Sequence, residues 1–331
     1  MFSRLSQITR HLSAASPIRT PKRPALINNT NGLARSIMAS ADERNSRTIH
    51  TAACLIIGDE VLGGKTLDTN SAYMAKWCFS LGINLKRVEV IEDVESEIVE
   101  AVRRLSDRYD FVVTSGGIGP THDDITYESI AKAFSLPLLL NQKAFERMRR
   151  LSKPHPSQPD FDWDTDSPAL RARLRMAILP TDETRDLSKQ FLFPHDDLWV
   201  PVTVVNGNVH ILPGVPRLFE NLLDGLKPVI VPRLTDPDGK GLARVLISTP
   251  LPESAVADYL TQLAAKVEPQ GVKVGSYPRW EQNGIVTLVG RNHEYIESIV
   301  PDVVEGVKGR RVAVEGEDDV PSEERAKPNS D

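Results

Sequence analysis

The chain moves between apolar runs of strand length and stretches whose apolar residues recur at helical spacing. Residues 51–57, TAACLII, are a strand-length apolar run that ends at the glycine-bearing polar stretch 58–64. Residues 71–81 place Ala72, Ala75 and Phe79 on one helical face, with Asp68, Thr69 and Asn70 as the N-cap region and Gly82 as the stop. A second strand over 84–91 and a second helix over 96–106, with Ile98, Val102 and Leu105 in register, precede a third strand over 110–115. A helix-like run over 127–134 follows. This alternation predicts an α/β domain of three layers, α/β/α, on a mainly parallel sheet. Right-handed crossovers then put the loops that follow the strands at one sheet edge, facing one crevice.

The pattern weakens over 152–200, where Pro154, His155, Pro156, Pro159 and a short acidic run surround one charged helix at 169–177. That stretch reads as an excursion from the domain, a lid in form. Asn206-Gly207 then joins two short apolar strands, Val202–Val205 and Val209–Leu212, as a hairpin. The second strand runs through Leu212-Pro-Gly-Val-Pro216 into a helix over 217–226. A turn-rich linker at 235–241 marks a boundary. Beyond it come strand 244–248, helix 253–266, strands 272–276 and 285–289, helix 293–307 and strand 311–314. The β-α-β-β-α-β order is that of a small α+β split-βαβ domain. The domains expected are 48–234 and 242–315, with a disordered acidic tail over 316–331.

Composition adds limits. Hydrophobic residues make up 40% and charged residues 26% of the 331 residues, enough for a packed core. No apolar run approaches the roughly 20 residues a membrane span needs, so no membrane is expected as a partner. Residues 1–41 carry six basic residues and no acid before Asp42, and removing this +6 from the overall −5 leaves −11 for the rest. A serine-rich, arginine-bearing start with Phe2, Leu5, Ile8 and Leu12 along one helical face reads as a mitochondrial transit peptide over 1–45; a start at Met38 would give a cytosolic form. The acidic remainder lacks a basic patch interleaved with aromatics, which argues against a nucleic-acid partner. Cys54 and Cys78, the only cysteines, read as reduced core residues rather than a disulfide or zinc site.

The chemistry concentrates at residues 114–126, TSGGIGPTHDDIT. Ser115, Gly116, Gly117 and Gly119 fall where a strand ends and a helix begins, the position at which backbone N–H groups and a helix N-terminus receive phosphate. Asp123 and Asp124 would repel a bare phosphate, which points to a divalent cation between carboxylate and phosphate or to a general base. His122 fits a base, a phosphate ligand or a helix cap. Thr121 and Thr126 complete the loop. Gly58, Asp59 and Glu60 form either a second wall of the same site or a solvated helix start. Asp68 and Asn70 serve either as ligand contacts or as helix caps. Pro213 and Gly214 sit at a third strand end, as a ligand contact or a shaped turn. In the second domain, the 275–278 stretch with Tyr277 and Trp280 reads as a strand-ending turn rather than a stacking site.

Three motifs in order, GDEVLGGKTLDTN over 58–70, SGGIGPTHDDIT over 115–126 and LPGVP over 212–216, resemble the molybdopterin-binding (MoaB/Mog, MoCF) superfamily. The resemblance covers about residues 50–310 and is strongest to the CinA-like branch and to the N-terminal domain of animal-type FAD synthases. The Gly-Thr-Ala-Pro-Gly element of CinA is replaced by Asp197-Leu-Trp-Val-Pro201, so a CinA activity is not implied. The resemblance implies a metal-dependent nucleotide diphosphatase that converts FAD to FMN and AMP with Mg, Mn or Co. Asp124 is implied as the catalytic, metal-linked residue, with Asp123 or Asp59 as further ligands. It also implies a homo-oligomer. A pterin- or nucleotide-binding module without turnover and a molybdopterin adenylyltransferase are the alternatives that the same fold supports.

Overall fold

The computed structural model describes residues 40–152, 161–237, 241–279, 282–315 and 317. The expected leader up to residue 39 with its Met38 start, the proline-rich stretch with Pro154, His155, Pro156 and Pro159, Trp280 and nearly all of the acidic tail lie outside the described residues.

Strands β1 (Thr51–Ile57), β2 (Asn84–Ile91), β3 (Phe111–Ser115), β6 (Phe191–Leu192), β7 (Val202–Val205) and β8 (Val209–Leu212) form a six-stranded sheet in the order β2-β1-β3-β8-β7-β6. β2, β1, β3 and β8 are parallel, and β7 and β6 run antiparallel at the far side. Helix Asn70–Ser80 connects β1 to β2, and helix Glu95–Arg108 carries the chain back across β1 to β3. The two crossovers step in opposite directions, so right-handedness puts their helices on opposite faces, giving the three expected layers. Helix Pro216–Gly225 packs beside the first and helix Thr126–Ala133 beside the second. β3 is buried along its whole length and β1 at all but its first residue, as parallel strands covered on both faces must be.

The core shows what that burial does to polar groups. Phe111 stacks on Trp77 at 5.8 Å and meets the His210 ring at 4.6 Å. Burial pushes the His210 imidazole down to about 3, so it packs as a neutral ring. Cys54 and Cys78 are buried and unpaired, and burial raises both thiols, that of Cys78 to about 12.

The second domain has the expected order. β9 (Ala243–Thr249), β10 (Lys273–Tyr277), β11 (Gly284–Gly290) and β12 (Arg310–Val312) make an antiparallel sheet, β10-β11-β9-β12. Helices Glu253–Val267 and His293–Gly306 close over it, and Val245, Ile247, Leu288 and Val303 lie in a core of its own.

Three differences from the sequence reading stand out. Part of the stretch 1–45 expected as a leader is folded: Ala41–Ser46 is a helix with a Ser40–Glu43 capping box. Its Arg44 donates to Ser106 O at 2.8 Å, which ties it to the first domain. The excursion contains more order than expected: helix Pro168–Arg175 leads into β5 (Ile178–Pro180), which pairs with β4 (Leu138–Leu140). Helix Gln142–Leu151 also went unread, its apolar positions being outnumbered by charged ones. The hairpin forms as expected, with Asn206 and Gly207 both at positive φ, although Asn208 lengthens its loop to three residues.

Candidate functional site

The loops after β1, β3 and β8 meet at the carboxyl edge of the parallel strands. Gly214 lies so close to the β3 loop that a Cβ on it would sit 3.2 Å from Gly116 Cα. Gly116 itself has φ +111°, and a Cβ there would fall 2.1 Å from Ile57 O of β1. Only glycine lets the loop lie this close to the strand beside it.

Asn70 ties the three motifs together. Its side chain is buried, and its Nδ2 donates to Ser115 Oγ and to Gly214 O, each at 2.9 Å. One amide therefore holds the start of helix Asn70–Ser80, the end of β3 and the β8 loop. Asp68 takes the capping role, accepting from Ser71 N–H at 3.0 Å. Thr126 is a loop fastener: it is buried and donates from Oγ1 to Gly116 O at 3.0 Å. Ser115 is buried between Asn70 and Pro213 O.

A crevice of 380 Å³ opens where these loops converge, lined on one side by Gly116, Gly117, Ile118, Gly119 and Asp124 and on another by Pro213 and Gly214. Among the described residues the N–H groups of Gly117, Ile118 and Gly119 have no acceptor, which leaves three successive donors beside the crevice. A run of backbone donors of this kind is an arrangement able to receive an anion. Asp124 Oδ2 lies 2.9 Å from Thr121 N and also accepts from the Thr121 hydroxyl, so the loop itself orients the carboxylate. A Cβ on Gly119 would lie 2.6 Å from that same oxygen.

The other carboxylates are placed differently. Glu60 lines the crevice, whereas Asp59 and Asp123 are exposed outside its lining. Asp59 instead pairs with Asp93, whose Oδ2 accepts from Asp59 N at 3.0 Å. Asp93 was not singled out in the sequence because it sits in an unremarkable turn after β2. Partial burial, followed by the charges of Asp59, Glu60 and Asp123, raises its carboxyl above the usual range. His122 is almost fully exposed, with Nδ1 3.8 Å from Asp123 Oδ1. Among the described residues no three His, Cys, Asp or Glu side chains gather in a group able to hold a metal, so the expected Asp124, Asp123 and Asp59 set is not assembled.

The sequence reading also missed the wall contributed by the excursion. Met176, Leu198, Trp199 and Val200 also line the crevice. Arg175, the last residue of helix Pro168–Arg175, donates to Thr121 O at 2.7 Å and Asp124 O at 3.1 Å and pairs with Glu128 at 3.2 Å. This arginine fastens the 121–124 turn from outside. An arginine at a helix end carries no sequence signal for such a contact.

The relatives of the chain match this anatomy. A family model described as "Probable molybdopterin binding domain" matches residues 53–235, and one described as "FAD synthase, middle domain" matches 242–315. A Caenorhabditis elegans protein named "Probable FAD synthase" is 33% identical over 273 residues, 79% of this chain and 51% of that protein. The chain spans about half the length of the curated FAD synthase relatives it matches. A Saccharolobus islandicus protein with only a locus name is 33% identical over 221 residues, 66% of this chain and 77% of that protein. The crystal structure of the protein CinA with unknown function from Thermoplasma acidophilum aligns at 30% identity and a TM-score of 0.45, covering 55% of this chain and 98% of that one. With its first domain matched from end to end, over more than half of the 331 residues, the chain belongs to the molybdopterin-binding domain family.

Proposed function

We propose that the crevice hydrolyses the diphosphate of a flavin dinucleotide, releasing FMN and AMP. The observation that carries this reading is the row of unpaired N–H groups at Gly117, Ile118 and Gly119 beside the oriented carboxylate of Asp124. Two adjacent phosphates need such donors, and a carboxylate next to them needs a cation between. The flavin assignment rests on the second domain, whose family is described as the middle domain of FAD synthase. The apolar wall of Met176, Leu198 and Trp199 suits the ring end of a nucleotide.

The donor set fits a magnesium-type ion of the kind that keeps its waters and takes one or two carboxylates plus substrate phosphates, rather than a cage of three protein ligands. Asp124 would hold it, with Glu60 facing the same crevice. When bound, such an ion polarises the diphosphate and lowers the pKa of a coordinated water. The protein's part is to orient. The 117–119 donors fix the phosphates, Thr121 and Arg175 fix Asp124, and Asn70 fixes the distance between the β3 and β8 loops. Water adds to one phosphorus, the P–O–P bridge breaks, and the departing phosphate keeps the bridging oxygen.

A second reading, a pterin- or nucleotide-binding module without turnover, is favoured by the description of the matched family as a binding domain. Incubating the full chain with FAD, ADP-ribose and NAD in the presence of Mg, Mn or Co and following AMP release separates the two. Metal-dependent release from FAD is expected. No release from any of the three would leave the binding module.

A further inference from the structure

The last turn of helix Asn70–Ser80 meets the second domain, far from the loop crevice. Leu242 N donates to Phe79 O at 3.3 Å, the Arg291 guanidinium donates to Gly82 O, and Arg244 lies over the Phe79 ring at 4.3 Å from its centroid. Between these contacts lies an open cleft of 670 Å³. Its first-domain wall includes Phe79, Ile83 and Leu85, and Leu242 and Val289 face them from the second.

The charge of this cleft is one-sided. Arg244, Lys273 and Arg291 line it, and no carboxylate does, in a chain whose net charge is −5. Among the described residues neither Arg244 nor Lys273 pairs with an acid. Asn292 also lines the cleft and caps helix His293–Gly306 by accepting from Tyr295 N at 3.0 Å, so the positive end of a 14-residue helix adds to the same field. Arginines and lysine held around a concave wall and left without acids are the chemistry that takes phosphate, and arginine also presents a flat face for a ring to stack on. The volume is that of a small-molecule site and too small for a polymer surface.

We propose that the cleft between the two domains binds a mononucleotide, its phosphate held by Arg244, Lys273 and Arg291 and its ring placed against the Phe79 and Leu242 side. This site is separate from the loop crevice and does not depend on hydrolysis there. Its ligand would lock the second domain onto helix Asn70–Ser80, whose first residue clamps the β3 and β8 loops.

The test is equilibrium titration of the full chain with AMP, FMN and pyrophosphate in EDTA, where no metal-dependent turnover occurs, with hydrogen exchange to locate each ligand. AMP or FMN is expected to protect residues 79–85 and 270–273 and to bind more tightly than pyrophosphate. Lys273→Glu, at an exposed position, should weaken that binding by about tenfold or more, as should Arg244→Glu. Protection confined to 116–124 and 213–215, binding unchanged by Lys273→Glu, or pyrophosphate binding as tightly as either mononucleotide would overturn the proposal.

Discussion

Helix Asn70–Ser80 carries opposite chemistry at its two ends. At its start, Asn70 fastens Ser115 to the Gly214 loop, and a phosphate placed in the adjoining crevice would meet both the attraction of the glycine loop and the repulsion of Asp124 and Glu60. At its end, Arg244 and Arg291 press against Phe79 and Gly82 with no acid lining the cleft between. The eleven residues separate the two ends by about 16 Å at 1.5 Å rise per residue. If each takes a phosphate as proposed, the cleft would hold it by charge alone, whereas the crevice would need a cation to reconcile phosphate with carboxylate, and the proposed hydrolysis would use that cation.

The largest expected effect is steric. Gly116→Ala puts a methyl group 2.1 Å from Ile57 O at a φ of +111°, and a loss of about 3 kcal/mol or more is expected from the denaturation midpoint. Tolerance of alanine at 116 would mean that the loop does not lie against β1. Asn70→Ala comes next. It removes two hydrogen bonds from a buried amide, and a loss of about 1–3 kcal/mol is expected by urea titration, with nucleotide binding in the crevice weakened and binding in the cleft unchanged.

Arg175→Lys separates charge from geometry. Lysine keeps the cation but cannot reach Thr121 O, Asp124 O and Glu128 together, so AMP release should fall while Tm stays within a few degrees. Unchanged turnover would show that Arg175 does not position the 121–124 turn.

The smallest effect is a pH dependence at Asp93. Its carboxyl is raised in the folded protein, so the folded state binds the proton more tightly than the unfolded chain does. Stability falls as pH climbs from the ordinary carboxylate range of about 4 through the raised value, and the loss persists above it. Asp93→Asn keeps an acceptor for Asp59 N and removes the charge. A slightly higher Tm than wild type is expected at pH 8, with the gain disappearing near pH 3. A lower Tm at pH 8 would show that the Asp93 charge is stabilised by a partner such as a bound cation.

The legible and illegible parts of the molecule divide by range. β1, β7 and β8 stand at their expected limits because an apolar run that meets glycine, proline or asparagine states where it ends. The three loops could be brought to one crevice in advance because crossover handedness is a property of the chain, not of the particular side chains. Within the loops, residue type did not distinguish ligand contact from scaffold. Thr126 and Ser115 prove to be fasteners and Asp68 a cap, while Asp59 turns to Asp93. Arg175 and Trp199 reach the site from an excursion whose pattern is neither helical nor strand-like throughout, so only tertiary packing could place them. The cationic cleft was illegible for the same reason: Arg244, Lys273 and Arg291 are scattered along the second domain and converge only when its sheet forms.

In the proposed reaction Asp124, oriented by Thr121 and Arg175, makes the glycine loop a hydrolytic site rather than a cradle. The direct measurement is AMP release from FAD by the full chain and by Asp124→Asn, each with Mg, Mn and Co. Metal-dependent release by the wild type, reduced about 10²-fold or more in a variant whose far-UV spectrum and Tm are unchanged, is the predicted result. Release by Asp124→Asn at the wild-type rate would contradict it.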